Sequence, residues 1–463
     1  MLSLLSLTGL LLSYTAVQVS AFDNSRSDNV AVYWGQNSYG ATHSDTANFQ
    51  KSLAFYCQDN SIDAFPIAFL NVFFGAGGLP SIDLANICNV NDDAVFPGTQ
   101  LPNCQFLASD IQTCQAKGKI VTLSLGGATG AAGFTSDSQA QAFADTIWNT
   151  FLGGSSSTRP FGNAVLDGID LDIEGGSNAH FVAFLNQLRS HMNSASKKYF
   201  ITAAPQCPFP DAILGSVINS VAFDAVYVQF YNNFCGLQNF NNPNAWNFAT
   251  WDNWAKTTSP NRNVKVYIGV PASSTAAGSG FVPIGTLTSI IQQTRSQFSS
   301  FGGVMMWDAS QAFANGRFDA AVKAALGGGS APPPAPPPSS TKPPTTPPPT
   351  SAPPTSTSAP PPPTSGSCAG VNAWVGNVAY NGGDRVVFNA HLWTAKWWSF
   401  GDTPGGAAGD WQDDGACSSF SAANVRPHYE SKSVPLDSPV KTPAAALAMK
   451  ENAKHIGSRF FRF

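Results

Sequence analysis

Leu166-Asp167-Gly168-Ile169-Asp170-Leu171-Asp172-Ile173-Glu174 alternates acidic and aliphatic residues and then breaks at Gly175-Gly176. A period of two is the pattern of a β-strand, whose side chains point to opposite faces in turn. Ile169, Leu171 and Ile173 therefore share one face, and Asp170, Asp172 and Glu174 share the other. Carboxyl groups standing in one row about 7 Å apart, partly out of water, cannot all ionise freely, so at least one is expected to hold its proton near neutral pH. Such a group is suited to act as a general acid. The competing reading is a solvated edge strand with an acidic face. It fits poorly, because Ala164-Val165-Leu166 and the second face are aliphatic, as in a strand covered on both sides of an α/β sheet, where acids are not expected unless they line a site. Asp167 falls on the face opposite the other three acids, which assigns it a structural place at the start of the strand.

Outward from this stretch the chain repeats a strand-then-helix rhythm. Apolar strands are expected near 30–34, 66–73, 119–125, 165–174, 200–204, 225–230, 264–270 and 303–307. Helical spacing appears between them, as in 178–196, where Phe181, Phe184, Leu185, Leu188 and Met192 should face the sheet. Eight strands alternating with helices predict an α/β fold closed as a (β/α)8 TIM barrel. Active sites of such barrels lie at the carboxyl ends of the strands, where Glu174, Gln206, Tyr231 and Trp307 all fall.

Asp167-Gly168-x-Asp170-x-Asp172-x-Glu174 resembles the D-G-x-D-x-D-x-E signature of glycoside hydrolase family 18, the chitinases. Ser124-Leu125-Gly126-Gly127 upstream and Gln229-Phe230-Tyr231-Asn232-Asn233 downstream match as well. The likeness covers about 29–326 and is greatest to the plant class III and related fungal enzymes. It implies a retaining, substrate-assisted hydrolysis of β-1,4-linked N-acetylglucosamine, in which the substrate's own acetamido oxygen is the nucleophile. Glu174 would be the acid and base, Asp172 would hold the acetamido N–H, and Asp170 behind it could share a proton with Asp172. Tyr231 would orient the acetamido group, and Trp307 would floor the subsite. Tyr33, Phe69, Gly126, Gln206 and Gln229 are the further substrate-binding candidates, each weighed against ordinary barrel packing.

The remaining composition is consistent with this. The 463 residues carry a formal net charge of −4 with 11% charged residues, so there is no basic footprint for nucleic acid, and a surface rich in Ser, Thr and Asn suits an uncharged sugar polymer. Residues 1–21 run through leucine-rich segments to Val19-Ser20-Ala21, a small-x-small ending that reads as a signal peptide cleaved after Ala21. No later apolar run reaches the length of a membrane span, and the product is expected to be secreted, extracellular or in a cell wall. In an oxidising compartment eight cysteines read as disulfides. The class III likeness implies Cys57 with Cys114, Cys88 with Cys104 and Cys207 with Cys235, which leaves Cys368 for Cys417. The six histidines show no ligand spacing, with His180 and His191 expected at the surface of a helix, so neither a metal nor a cofactor is expected.

After the barrel, assigned to 22–326, residues 327–366 are Pro, Ser, Thr and Gly and should form an extended linker, open to O-glycosylation; the chain has no Asn-x-Ser/Thr sequon. Residues 367–417 form a piece small enough to need a disulfide staple, yet it holds Trp374, Tyr380, Trp393, Trp397, Trp398 and Trp411. Some of these rings must be core. Together they exceed what so small a core can hide, and exposed flat rings stack on the apolar faces of sugars. Ala395-Lys396-Trp397-Trp398, with Gly383-Asp384 before it and Pro404-Gly405 after, resembles the chitin-binding modules of carbohydrate-binding families 5 and 12. The tail 418–463 has weak periodicity and no functional reading. The chain is thus expected to be a monomeric, endo-acting secreted chitinase with chitin as its partner. Two other classes share features with it. A non-catalytic lectin on the same barrel would have lost its acid, and an endo-β-N-acetylglucosaminidase of N-glycans would gain little from a polymer-binding module.

Overall fold

The computed structural model describes residues 22–128, 130, 132–327, 368, 370–375, 379–380, 384–395, 399–400, 403–406 and 411–417. Residues 1–21, read as a signal peptide, residues 328–366, read as a linker, the tail 418–463, and Trp397 and Trp398 lie outside the described residues.

Eight parallel strands close into a barrel in sequence order: β1 (Asn29–Val32), β2 (Ala64–Leu70), β3 (Ile120–Gly126), β4 (Gly168–Asp172), β5 (Phe200–Ala203), β6 (Ala225–Gln229), β7 (Lys265–Pro271) and β8 (Phe301–Trp307). The ring is sealed by β1 against β8, with Asn29 opposite Gly303 and Val32 opposite Met306. Alternation along each strand divides the core in two. Ile169 and Leu171 of β4, with Val121, Leu123, Ile201, Val226, Ile268 and Val304, face outward into an apolar layer shared with the helices. The inward set is aromatic and polar, with Tyr33, Tyr227, Tyr267, Met305 and the carboxyl groups of β4. Helix Phe181–Ser194 buries Phe181, Phe184, Leu185, Leu188 and Met192, the stripe its spacing predicted. It packs beside helix Asp137–Phe151, whose first turn is capped by Ser136 Oγ accepting from Gln139 N–H at 3.1 Å.

The strand carrying the acids is shorter than the expected 165–174. It stops at Asp172 because its neighbours stop, with Gly126 of β3 opposite Asp172 and Ala203 of β5 opposite Leu171. Glu174 therefore sits two residues past the strand, on the loop at its carboxyl end. Likewise β2 ends at Leu70, short of the expected residue 73.

The four disulfides join Cys57–Cys114, Cys88–Cys104 and Cys207–Cys235, the pairs the family likeness implied, and Cys368–Cys417, the pair that was left. In the C-terminal piece β10 (Arg385–Phe388), β11 (His391–Ala395) and β13 (Trp411–Ala416) form an antiparallel sheet, and β9 (Ala379–Tyr380) pairs with β12 (Ser399–Phe400). Trp411 is buried against Val386 and Ala395, so it is one of the rings that make the core. Trp374, Tyr380 and Trp393 are half-buried around it, with Tyr380 edge-on to Trp411 and Trp393 Nε1 donating to the Phe388 carbonyl.

Candidate active site

The row on β4 descends into the barrel. Asp170 is fully buried and accepts three hydroxyl donors from three other strands or strand ends: Tyr33 Oη at 2.7 Å, Ser124 Oγ at 2.7 Å and Thr202 Oγ1 at 2.6 Å. Burial pushes its carboxyl up while these donors favour the charged form. Asp172, one pleat nearer the mouth, is 4% exposed and accepts a side-chain N–H of Gln229 at 3.0 Å. Its carboxyl is driven well above the usual range, first by burial and then by the charges of Glu174, Asp170 and Asp211. Glu174, partly buried at the mouth, is pushed up to about 7 by burial and then by Asp211. Like charges without a cation between them resist joint ionisation, so this row stores protons at neutral pH.

The close approach of strands here depends on backbone conformation. Gly126 has φ +108°, and a Cβ there would lie 2.5 Å from the Asp172 carbonyl oxygen. Gly127, at φ +79°, donates its N–H to that same carbonyl at 2.7 Å and leaves room for the Phe69 ring. Only glycine fits such a site without strain.

Aromatic rings from β1, β2 and β8 gather on the opposite side. Phe69 and Trp307 stack with centroids 5.8 Å apart, and Tyr33 lies tilted against both, 5.6 Å from Trp307. Trp307 keeps part of its surface open. Asp308 fixes this end of β8: it accepts from the Ser38 N–H at 3.0 Å, the Gln311 N–H at 3.0 Å and Ser310 Oγ at 2.7 Å. Tyr231 follows β6, is buried, and among the described residues its hydroxyl has no protein hydrogen-bond partner. Gln206 bridges to Gln229 across the ends of β5 and β6 and accepts from Asn233 Nδ2 at 3.3 Å.

The fold thus brings Tyr33, Phe69, Gly126, Asp170, Asp172, Glu174, Gln206, Gln229, Tyr231 and Trp307 to one end of one barrel. Asp167 is elsewhere. At the opposite end of β4 it accepts from the Val121 N–H and from Gln115 Nε2, each at 2.8 Å, and pairs with Lys197 Nζ at 2.9 Å. Thr202, Asp211 and Asp308 were not singled out from sequence. The loop Pro208-Phe209-Pro210-Asp211 just after β5 carried the usable signal for Asp211, since an aspartate after prolines commonly gathers free backbone N–H groups. His180 and His191 pair with Asp137 and Asp145 near the surface, and among the described residues no cluster could hold a metal ion.

Residues 29–296 match the family of glycosyl hydrolases family 18. The chain belongs to glycoside hydrolase family 18. It is 55% identical over 302 residues to chitinase 2 of Rhizopus oligosporus, covering 65% of this chain and 53% of that protein. It is 43% identical over 335 residues to endochitinase 33 of Trichoderma harzianum, covering 69% of this chain and 99% of that one. Among solved structures it is similar to the ICChI chitinase of Ipomoea carnea, with 35% identity, a TM-score of 0.53, and coverage of 64% of this chain and 98% of the other. The chain spans about half the length of the Rhizopus relative. Within this family-18 barrel β4 and the loop after it hold the carboxyl row, and the ends of β8, β1 and β2 hold the aromatic wall.

Proposed function

We propose that the barrel hydrolyses β-1,4 linkages between N-acetylglucosamine residues of chitin, within the polymer, with retention of configuration. The observation that carries this reading is the row Asp170, Asp172 and Glu174, the first two buried and the third partly buried at the mouth with its carboxyl pushed up to about 7. A conventional retaining site needs a second carboxylate across the sugar ring as nucleophile. Here the carboxyl groups stand on one side and aromatic rings on the other, an arrangement suited to a nucleophile supplied by the substrate. Glu174 gives its proton to the leaving oxygen as the acetamido oxygen attacks the anomeric carbon. The glycosidic bond breaks, an oxazolinium ion forms, and Glu174 then takes a proton from the water that opens it. Asp172 accepts the acetamido N–H and offsets the developing positive charge. Asp170, saturated by hydroxyl donors, is the fixed charge behind it that favours a protonated Asp172 before substrate arrives. Tyr231 directs its free hydroxyl to the acetamido group, and Trp307 stacks beneath the sugar.

The disulfides and residues 1–21 support secretion, and the aromatic C-terminal module supports attachment to insoluble chitin through the linker. Reducing ends released from colloidal chitin, compared with glycan released from a high-mannose glycoprotein, test the substrate. In this assay Glu174→Gln should lose turnover by roughly 10²–10⁴ while still binding chitin oligomers. Near-normal turnover of that variant would remove Glu174 from its role, and release of the N-glycan alone would replace the chitinase reading.

A further inference from the structure

All eight strands enter the barrel from one end, and the segments leading into β1, β5, β6, β7 and β8 frame a polar bay of about 470 Å³ there, at the end opposite Glu174. Its charged lining is Lys198, Lys256, Arg262 and Lys265 against Asp23 and Asp224, a positive excess in a chain whose net charge is −4. Both carboxylates are already engaged. Asp224 accepts from the Ile201 N–H at 2.8 Å and from Arg189 Nη2 at 3.0 Å, and Asp23 accepts the N–H and the hydroxyl of Ser25, each at 2.8 Å. Lys256 is engaged as well, by Asp252 at 2.6 Å. The other three cations are not. Among the described residues no carboxylate lies within ion-pair distance of Lys198, Arg262 or Lys265. The Lys198 ammonium stands 5.0 Å from the centre of the Phe200 ring, and Lys265 Nζ reaches only the Ser299 carbonyl, at 3.4 Å.

Cations that serve the fold show it by their bonds. At the same end of the barrel Lys197, Arg189 and Lys323 each pair with an aspartate, at 2.9, 3.0 and 2.6 Å. The three in the bay make no such pair, yet they converge on one concavity. Burial holds the Lys265 ammonium below its ordinary value, as befits a charge drawn partly out of water with no close counter-ion. We propose that the bay is a second binding site, separate from the cleft, for a sugar unit that carries a phosphate or sulfate ester. The ester sits among Lys198, Arg262 and Lys265 and supplies the counter-charge they lack. A volume of about 470 Å³ is that of a small-molecule site and exceeds what a bare oxyanion fills. Asn263 and Ser299, exposed on its lining, add neutral donors and acceptors that suit sugar hydroxyls. Because the bay and Glu174 lie at opposite ends of the barrel, occupancy leaves the cleft free.

The test is calorimetric titration of the intact protein with glucose 6-phosphate and, separately, with dextran sulfate. Arg262→Gln/Lys265→Gln removes charge from the bay, and Lys51→Gln/Lys117→Gln removes the same charge outside it. The parent and the second variant are expected to bind, less tightly as salt is added, and the first to bind about tenfold or more weakly. Hydrolysis of a soluble chitin oligomer should be the same in all three, since none of the four residues belongs to the cleft. Binding of glucose 6-phosphate shows that a free phosphorylated sugar suffices, and binding of dextran sulfate alone assigns the ester to a polymer; either sustains the site. Four results would overturn it: no binding of either probe by the parent, an equal loss in both variants, equal affinity for inorganic phosphate, or retention on phosphatidylserine vesicles in place of both sugars. Should the bay variant fail to fold, Lys198→Gln carries the same test, because that ammonium makes no hydrogen bond to the described residues.

Discussion

Gln229 donates one side-chain nitrogen to Asp172 Oδ1 at 3.0 Å and to the Ala204 carbonyl at 3.0 Å. The second contact fixes which end of the amide is the nitrogen, so Asp172 is always offered a donor and keeps its other oxygen for a ligand. Gln229→Leu should therefore lower kcat by about tenfold with a smaller change in KM, since it frees Asp172 to rotate without removing a substrate contact. Steady-state kinetics on chitin oligomers check this, and an effect confined to KM would mean that Gln229 binds sugar directly. Asp172→Asn and Tyr231→Phe are expected to impair turnover more than binding, and fully deacetylated blocks should resist cleavage at every pH.

The alkaline limb of the activity profile and the stability profile should share one origin. Activity should fall as the pH rises through about 7, where Glu174 loses its proton. Because Glu174 holds that proton more tightly in the folded chain than at its ordinary value of 4.5, its contribution to stability is complete below that pH and is lost as the pH rises through about 7. Glu174→Gln cannot lose it. The variant's Tm should exceed that of the parent by a few degrees near pH 8.5 and by much less near pH 4, measured by calorimetry. An equal difference at both values would contradict the raised acid.

Asp167 offers the opposite case within the same motif. Asp167→Ala leaves the Val121 N–H without its acceptor and takes one of their acceptors from Gln115 and Lys197, which keep the Val165 carbonyl, and should cost about 1–3 kcal/mol of stability. Its kcat, measured well below the melting range, should stay within about twofold of the parent. A large loss of kcat in a folded Asp167→Ala protein would refute the structural assignment.

Removal of everything after Gly327 should spare hydrolysis of soluble oligomers and weaken action on insoluble chitin. A linker of about forty residues at about 3 Å each, fully extended, sets the radius within which a surface-bound module holds the barrel. Chitin pull-down of the isolated module with Trp397→Ala and Trp398→Ala then asks which ring stacks: adjacent residues in a strand face opposite ways, so one change should abolish binding and the other mainly lower stability. Unchanged retention after both would remove the binding role.

The barrel was legible because its strands are buried on both faces and stand apart as apolar runs, and because alternation on β4 separates Asp167 from Asp170, Asp172 and Glu174 without any coordinate. The end of β4 was not legible. A strand stops where its neighbours stop pairing, and neighbours at Gly126 and Ala203 are far off in sequence. Asp211 and Asp308 were missed for a related reason: each reads locally as a turn or cap, and only the folded chain sets one loop against the acids and the other beneath Trp307. The rings of the module were divisible into core and surface only by burial, which placed Trp411 inside.

The crosslinks of the barrel span 57, 16 and 28 residues, whereas the seam between β1 and β8 joins Asn29 to Gly303. During synthesis from the amino terminus, every cystine can therefore form within two neighbouring βα units while the ring is still open. Closure waits for the final strand, and that strand also carries Trp307. A chain arrested or shortened before its last strand could own the three cystines of the barrel and the acids Asp170, Asp172 and Glu174, yet would expose two unpaired sheet edges and lack the floor on which a sugar would rest. Completion of the ring and completion of the cleft are one event.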